Sequence, residues 1–177
     1  MIMASLTEMQ YTVGDRARAS NANPIHAAAI CRLIGYWADQ GLTIRRDLRS
    51  VVTSIDDFTV AVHRQRVVGC GAVCAVGGGV VGVGEIRSIA VDPGAGKVRA
   101  GRAVMDALLD KARVRGLEQV LLLTKTPGFF ERYGFEAVGV EDLPGAYAGM
   151  IASEAGRTLD GKVAMRRLVG ATVAVGV

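Results

Sequence analysis

The chain has 177 residues, half of them hydrophobic, with a formal net charge of +4 and a pI near 9.2. This size and composition predict one folded domain with a sizeable core and exclude a generally disordered chain. Aromatic residues make up 5% and no basic run is interleaved with them, which argues against a nucleic-acid platform. No apolar run is long enough to span a bilayer, and the first ten residues lack a signal-peptide pattern. We therefore expect a cytoplasmic protein that binds neither nucleic acid nor membrane.

The three cysteines and two histidines offer little for metal or nucleophilic chemistry. An odd number of cysteines without a C-x-x-C pair argues against a disulfide framework and against a zinc site. Cys70 and Cys74 lie in a strand-like run and are predicted to be small buried hydrophobes. His26 and His63 are predicted to be structural or solvated. The sequence thus predicts no metal site.

The first part of the chain predicts antiparallel strands around two helices. Ser20–Pro24 combines capping residues with a proline, which is typical of a helix start, and Gly41 suits its end. In chain order, the pattern predicts a flexible leader over 1–10, a strand within 11–19, helices over 25–41 and 48–54, and strands over 58–63, 67–76 and 80–91.

The stretch from Gly84 to Leu109 is the most informative part of the chain. Asp92-Pro93 ends a strand, and from Arg99 onward apolar residues recur at i, i+3, i+4, i+7 and i+8, as in an amphipathic helix. A strand, a glycine-bearing loop and a helix N-terminus form a common anion site, because free backbone N–H groups and the helix dipole favour negative charge there. Three cationic side chains add to it: Lys97, Arg99 and Arg102. We predict a pyrophosphate site.

The rest of the chain completes a mixed sheet. The short apolar run 118–124 predicts a strand buried on both faces, and hence a parallel one after a β-α-β crossover. The further predicted elements are a short helix over 129–133, a strand over 135–140, a loop or short helix over 142–154 and a strand over 162–169. An apolar tail, 170–177, follows one domain over 11–169. The order predicts an α+β fold with helices on both faces of a mixed sheet.

Several of these motifs resemble a known family. Glu85–Pro93, the basic loop and the following helix look like the acetyl-CoA motif of the GCN5-related N-acetyltransferase (GNAT) superfamily, and Phe129–Phe135 resembles its later helix, which ends in Gly-Phe. Ile34–Leu42 with Arg45-Arg46, and Val67–Ala72, are similar to the short stand-alone N-acetylglutamate synthases.

The resemblance implies a fold and an activity. The fold would be a three-layer α/β/α arrangement with a mixed, mostly antiparallel sheet and a central β-loop-α-β unit. Acetyl-CoA would be the co-substrate, with no metal. The reaction would be acetylation of an amino-acid α-amine, that of L-glutamate to N-acetylglutamate, the first step of arginine biosynthesis. The partners would be an acidic amino acid and, as an open possibility, a second copy in a homodimer.

The resemblance also implies site residues. The co-substrate would bind along one strand and the loop after it, at Ile89, Ala90, Val91, Lys97, Val98, Arg99, Ala100, Gly101 and Arg102. Arg46, with Arg45 as the alternative, Arg87 and Lys162 would hold the carboxylates of the acceptor, since two carboxylates need at least two cationic partners. Glu85 is the candidate base, and Ser88 lies beside the expected acetyl group; the alternative for Glu85 is a structural carboxylate paired with Arg87 or a loop.

The chain departs from the family pattern at three positions. Gly96 stands where Arg or Gln is usual, and Arg99 stands where the middle glycine of the loop is usual. Phe130 occupies the place of a tyrosine that serves many members as general acid, and Tyr133 is offset from it. Two alternatives to glutamate acetylation therefore stay open: acetylation of another small amine, and a non-catalytic module that binds acyl-CoA.

Overall fold

The computed structural model describes residues 15–153 and 161–170. The predicted leader over 1–10 lies outside the described residues, and so do the first residues of the domain and the tail beyond 170.

Seven strands form one sheet in the order β1-β2-β3-β4-β5-β7-β6. Their bounds are β1 Arg18–Asn21, β2 Phe58–His63, β3 Arg66–Ala75, β4 Val83–Val91, β5 Gln119–Thr124, β6 Glu136–Ala137 and β7 Val163–Leu168. All neighbours are antiparallel except β4 and β5, which are parallel. The predicted mixed, mostly antiparallel sheet is confirmed, as is the parallel strand after the crossover.

The α-helices of the described residues are α1 Ala27–Ala38, α2 Leu48–Thr53, α3 Ala100–Val114, α4 Pro127–Glu131 and α5 Gly145–Ser153. Short 3₁₀ turns precede α1, β2 and α3. The predicted start of the first helix is confirmed, because the side chain of Asn23 accepts from the Ile25 N–H at 3.1 Å and Pro24 begins the first turn. Gly41 follows the helix with φ +69°, where glycine is favoured.

The sheet separates two layers of helices, as the resemblance implies. On one face, α1 and α2 pack on β2 and β3 through a cluster that includes Ile34, Val51 and Ala72, and α5 packs on β5 and β7 through Tyr147 and Leu121. On the other face, α3 and α4 pack on the sheet through the largest cluster, to which these helices contribute Val104, Leu108 and Phe130. Alternate strand residues therefore serve opposite layers.

A β-bulge at Ser88 reverses this alternation halfway along β4. Ala72 pairs with Arg87 but Cys70 pairs with Ala90, so β4 carries one residue more than β3, and Ser88 takes φ +56°. Before the bulge, Glu85 and Arg87 face the side of α1, α2 and α5. After it, side chains at odd positions pack with the α3 cluster instead.

The bulge coincides with the end of the pairing between β4 and β5. The parallel ladder joins Val83–Glu85 to Gln119–Leu121 and then stops, although both strands continue. The two strands therefore separate after Glu85 and Leu121. Their facing backbone edges beyond that point have no strand partner, and a cleft opens between them.

Helix α3 is fixed at its C-terminal half. The Lys111 ammonium donates to the carbonyls of Asp56 at 3.0 Å and Phe58 at 2.8 Å, and burial lowers the pKa of Lys111. Arg115 donates to the Asp57 carboxylate at 2.8 Å. These contacts hold the helix while its N-terminus faces the cleft.

One element differs from the sequence prediction. The predicted strand over 135–140 is reduced to Glu136–Ala137, because the chain turns into a 3₁₀ segment at Val140–Asp142. The segment 142–154, predicted as a loop or a short helix, contains α5, and β7 lies between β5 and β6. The last two strands do pair antiparallel as predicted.

The cysteines and histidines make structural contacts. Cys70 is fully buried, and desolvation raises its pKa to about 12, which removes its nucleophilic form at neutral pH. The His26 ring accepts from the Asn23 N–H at 3.1 Å, and His63 lies 2.7 Å from Asp15, whose pKa this contact lowers. Among residues 15–153 and 161–170, no helix is long and apolar enough to cross a membrane, and no three His, Cys, Asp or Glu residues gather to hold a metal.

Gly71 sets how closely α3 lies on the sheet beside the bulge. A Cβ at this position would lie 2.5 Å from Ile89 Cδ1 and 2.8 Å from Leu108 Cδ1. We expect Gly71→Ala to destabilise the fold by about 1–3 kcal/mol through overpacking. Gly77, where a Cβ would meet nothing within 4 Å, supplies the control. Urea denaturation checks this; equal stability of Gly71→Ala and Gly77→Ala would contradict the close packing.

Candidate active site

The cleft between β4 and β5 has a volume of about 330 Å³. It is lined by Ile86–Val91 of β4, by Leu122–Thr126 at the end of β5, and by aromatic side chains from two helices, Trp37, Phe129 and Phe130. Unpaired strand edges offer backbone donors and acceptors to an extended ligand, in the way that a sheet edge takes up a peptide. The cleft can therefore hold a chain that carries amide groups, running between the two strands.

Trp37 of α1 fixes one wall of this cleft. Its indole Nε1 donates to the Val91 carbonyl at 2.8 Å. The next residue, Asp92, donates its N–H to the Val68 carbonyl of β3 at 2.9 Å. Because neighbouring residues of an antiparallel ladder point their backbone groups to opposite sides, Val91 points away from β3 and into the cleft. Its carbonyl is occupied by the indole, whereas Ile89 presents its backbone to the same side.

A larger cavity of about 820 Å³ lies at the outer end of the cleft. Four arginines line it: Arg99, Arg102, Arg132 and Arg167. Asp106, 3.4 Å from Arg102, is the acid among the lining residues. The N-terminus of the 15-residue helix α3 opens at the same place, through Gly101. The cavity is therefore suited to a ligand with several phosphates.

Arg99 takes the backbone role of the glycine that the family pattern places there. It has φ +57° and ψ +35°, in the left-handed region, and it immediately precedes the first residue of α3. A glycine adopts this conformation at lower cost than an arginine. Gly96, also on the cavity wall, leaves open space where a side chain is usual. The glycine and the arginine therefore stand at exchanged places relative to the family pattern, and the left-handed position falls on the arginine.

The predicted co-substrate residues divide into three groups. Ile89, Ala90 and Val91 line the cleft. Arg99, Gly101 and Arg102 line the large cavity, together with Val91. Lys97, Val98 and Ala100 line neither: Lys97 is exposed, and the side chains of Val98 and Ala100 are buried in the core under α3. A contact of Val98 or Ala100 with a ligand would have to come from the backbone.

The predicted acceptor and catalytic residues come together. A small pocket of about 70 Å³ lies at the point where β4 and β5 separate. Its lining includes all five of them: Arg46, Glu85, Arg87, Ser88 and Lys162. Three cationic residues from the connector before α2, from β4 and from the position before β7 therefore line the same pocket as one buried carboxylate.

The two neighbouring arginines of the connector point to different places. Arg46 lines the small pocket and also a cavity of about 390 Å³ beside α2, and Arg87 lines both as well. Arg45 is paired with Asp39 and lies against Gly35 on α1. Of the two candidates, Arg46 is thus the one placed at the pocket.

Glu85 is held on two sides. Its side chain is 1% exposed. The Tyr147 hydroxyl of α5 donates to Oε1 at 3.2 Å, and Arg87 Nη1 lies 3.8 Å from Oε2. The structural pairing with Arg87 that the sequence left open is present. Since Glu85 also lines the pocket, the pairing and a role in catalysis are compatible.

Phe130 stands in the place of the tyrosine that many family members use as general acid, and its ring is buried in the core beside the cleft. Tyr133 lines the large cavity instead, and burial raises its pKa. Hydroxyl-bearing residues of the cleft lining are Thr43, Ser88, Thr124 and Thr126; the hydroxyls of the last two lie 3.2 Å apart at the end of β5.

Sequence reasoning missed four residues that the structure places at the site: Trp37, Arg132, Tyr147 and Arg167. Each lies outside the stretch from Gly84 to Leu109. The signal available for Trp37 was its position in a motif already quoted for the resemblance. Tyr147 offered none, because its helix has little amphipathic pattern.

Comparison with known proteins agrees with this geometry. Residues 54–137 match the family model described as Acetyltransferase (GNAT) domain. An uncharacterised N-acetyltransferase of Chlorobaculum tepidum is 33% identical over 129 residues, which are 70% of this chain and 78% of that protein. The amino-acid acetyltransferase of Mycobacterium tuberculosis is 34% identical over 126 residues, 70% of this chain and 67% of that protein.

Two solved structures share the fold. Rv2747 from Mycobacterium tuberculosis, in complex with CoA and NLQ, has a TM-score of 0.74 and 28% identity, covering 86% of this chain and 99% of its own. N-acetylglutamate synthase from Neisseria gonorrhoeae, in complex with coenzyme A and N-acetyl-glutamate, has a TM-score of 0.77 and 24% identity. This chain aligns to 35% of the Neisseria chain, with 87% of its own length covered.

Three observations lead to one conclusion: the separation of β4 from β5, the cavity at the start of α3, and sequence similarity that covers 78% and 67% of two N-acetyltransferases. The chain is an acyltransferase that belongs to the GNAT family of N-acetyltransferases.

Proposed function

We propose that this protein transfers the acetyl group of acetyl-CoA to the α-amine of L-glutamate, the first step of arginine biosynthesis. The observation that carries the proposal is the small pocket at the separation of β4 and β5, which Arg46, Arg87 and Lys162 line together with Glu85. Two related proteins support it, the amino-acid acetyltransferase of Mycobacterium tuberculosis and the Neisseria gonorrhoeae synthase bound to N-acetyl-glutamate.

Acetyl-CoA suits the cleft and the large cavity together. Its pantetheine arm carries two amides, which match the unpaired backbone of Ile89 and its neighbours on β4. Its phosphates suit the cavity in which Arg99, Arg102, Arg132 and the start of α3 lie. With the arm in the cleft, the thioester would lie near the separation of the strands, next to Glu85 and Ser88.

Glutamate suits the pocket by charge. Its two carboxylates need cationic partners, and Arg46, Arg87 and Lys162 come from three different elements, so they can meet both carboxylates at once. The pocket is small, but Arg46 and Arg87 also line the adjoining cavity of about 390 Å³. We propose that one carboxylate reaches this second space while the α-amine stays near Glu85.

The reaction joins the acceptor nitrogen to the acetyl carbon. Glu85 takes a proton from the α-ammonium, because only the neutral amine has a lone pair for attack. The new C–N bond forms as the thioester carbonyl becomes an oxyanion, for which backbone N–H groups on the unpaired edge of β4 are the donors. The C–S bond then breaks, the electron pair leaves with sulfur, and the thiolate takes up the proton that the acylated nitrogen loses as it becomes an amide. Fixed placement of both reactants supplies much of the rate enhancement.

The arginine in the loop provides the first test, on the co-substrate. We expect Arg99→Gly to stabilise the fold by about 1 kcal/mol, because it removes the left-handed strain of a non-glycine residue. The same change is expected to weaken CoA binding by roughly three- to tenfold, through loss of one charged phosphate contact. Thermal denaturation and calorimetric titration with CoA measure the two effects.

Gly96→Ala is the matched control for that loop. It adds a side chain in open space and removes no charge, so CoA binding should stay within about twofold. Unchanged CoA affinity in Arg99→Gly would show that the guanidinium points away from the phosphates.

Release of free thiol from acetyl-CoA tests the reaction itself. With glutamate, aspartate, glutamine, ornithine and a polyamine as acceptors, we expect the highest kcat/KM with glutamate, because it alone combines an α-amine with two carboxylates at this spacing. Turnover confined to other amines would refute glutamate as the acceptor and leave an acetyltransferase of another amine. No turnover and no thermal shift with CoA would favour the non-catalytic module.

A matched pair of variants tests the acceptor pocket. Arg46→Ala is expected to raise the KM for glutamate by roughly 10- to 100-fold, the effect of losing a hydrogen-bonded charge, with the KM for acetyl-CoA little changed. Arg45→Ala removes the same side chain one residue earlier, from a contact with Asp39 outside the pocket, and should leave both constants within about twofold. Steady-state kinetics with both substrates varied gives these values. Equal effects of Arg46→Ala on both KM values would count against the pocket.

A further inference from the structure

A tyrosine and a carboxylate share the buried wall between the sheet and α5. Tyr147 is 0% exposed and Glu85 is 1% exposed. The Tyr147 hydroxyl donates to Glu85 Oε1 at 3.2 Å, and the two residues are 62 positions apart in the chain. The contact therefore joins α5, which lies outside the strand–loop–helix unit, to the strand at the centre of the site.

The Tyr147 ring packs in an apolar part of the core. It belongs to a cluster with Val76, Leu121, Leu143 and Ile151. Transfer of a phenol hydroxyl into such a cluster costs free energy unless the hydroxyl is hydrogen-bonded. Packing alone would be served as well by phenylalanine. What the hydroxyl adds to the packing includes the hydrogen bond to the Glu85 carboxylate.

The contact between Tyr147 and Glu85 lies where the parallel ladder of the sheet ends. Glu85 pairs with Leu121 in the last step of the parallel ladder before β4 and β5 separate. Tyr147 holds Oε1 from the side of α5, whereas Oε2 faces Arg87. Since Glu85 and Arg87 both line the acceptor pocket, the two contacts together fix the plane of the carboxylate relative to the pocket.

We propose that Tyr147 is a positioning residue for acetyl transfer, acting through Glu85. By donating to Oε1, it stabilises the ionised carboxylate and holds it where β4 and β5 separate. There, Oε2 can take a proton from the acceptor ammonium. This inference rests on the proposed role of Glu85 as the base. It makes α5 a part of the catalytic apparatus, although Tyr147 itself lines neither the cleft nor the small pocket.

Tyr147→Phe removes the hydroxyl and keeps the ring in its apolar cluster. We expect kcat to fall roughly tenfold, since a hydrogen bond to a charged group is lost, while the KM for acetyl-CoA stays within about twofold. The acidic limb of the kcat/KM profile is expected to move to higher pH, because a hydrogen bond to the charged form of a carboxylate favours that form. Tyr36→Phe, on the exposed side of α1, is the control and should change neither quantity.

A double-mutant cycle separates positioning from plain structure. In an E85Q background, Tyr147→Phe should change kcat by less than about twofold, because the carboxylate through which it acts is gone. An equal loss of kcat in both backgrounds, or an unmoved acidic limb, would overturn the proposal. Full activity of E85Q would instead refute the base, which belongs to the proposed function.

A titration without turnover tests the same contact directly. In the whole chain labelled with [δ-¹³C]glutamate, the resonance missing from E85Q identifies Glu85. We expect the midpoint of its titration to lie at higher pH in Tyr147→Phe than in the parent or in Tyr36→Phe. An unchanged midpoint would overturn the proposal even where no acceptor is turned over, and a moved midpoint would support it even if glutamate proved not to be the acceptor.

Discussion

The separation of β4 from β5 is the constraint on which the rest of the site depends. Two parallel strands that stay paired would satisfy each other's backbone groups and leave no cleft. Here the ladder ends at Glu85 and Leu121, and the bulge at Ser88 adds a residue to β4 just beyond that point. The same bulge leaves Glu85 and Arg87 on one side of the sheet and places the later odd-numbered residues, Ile89 and Val91, against the helical layer on the other side. One irregularity thus makes both the space and the distribution of side chains around it.

Positive charge is gathered in two places that have different structural bases. At the large cavity, the arginines join the start of a long helix, so the backbone and the side chains favour anions together. At the small pocket, no such helix end contributes. Three cationic residues from separate elements line it, together with a carboxylate that is itself held by Arg87 and Tyr147. A net charge of +4 says nothing of this division, which arises only from folding.

Local patterns predicted most of the elements, and the β-α-β unit above all, because period, proline and glycine signals act over a few residues. They placed β2 at Phe58–His63 as found, whereas the resemblance to a known family, and not a local pattern, pointed to Arg46. What they could not give is the insertion of β7 between β5 and β6, since strand order depends on distant contacts. For the same reason the partnership of Tyr147 with Glu85 and the bond from Trp37 to Val91 have no trace in the sequence near either partner.

The large cavity and the small pocket reach the separation of β4 and β5 from opposite faces of the sheet. The arginine-lined cavity lies among α3 and α4, whereas the pocket with Glu85 lies on the side of α1, α2 and α5. A ligand in the cavity would not block access to the pocket, and both sites could be occupied at once. The fold therefore offers two separate approaches to one meeting point, which lies where β4 and β5 separate.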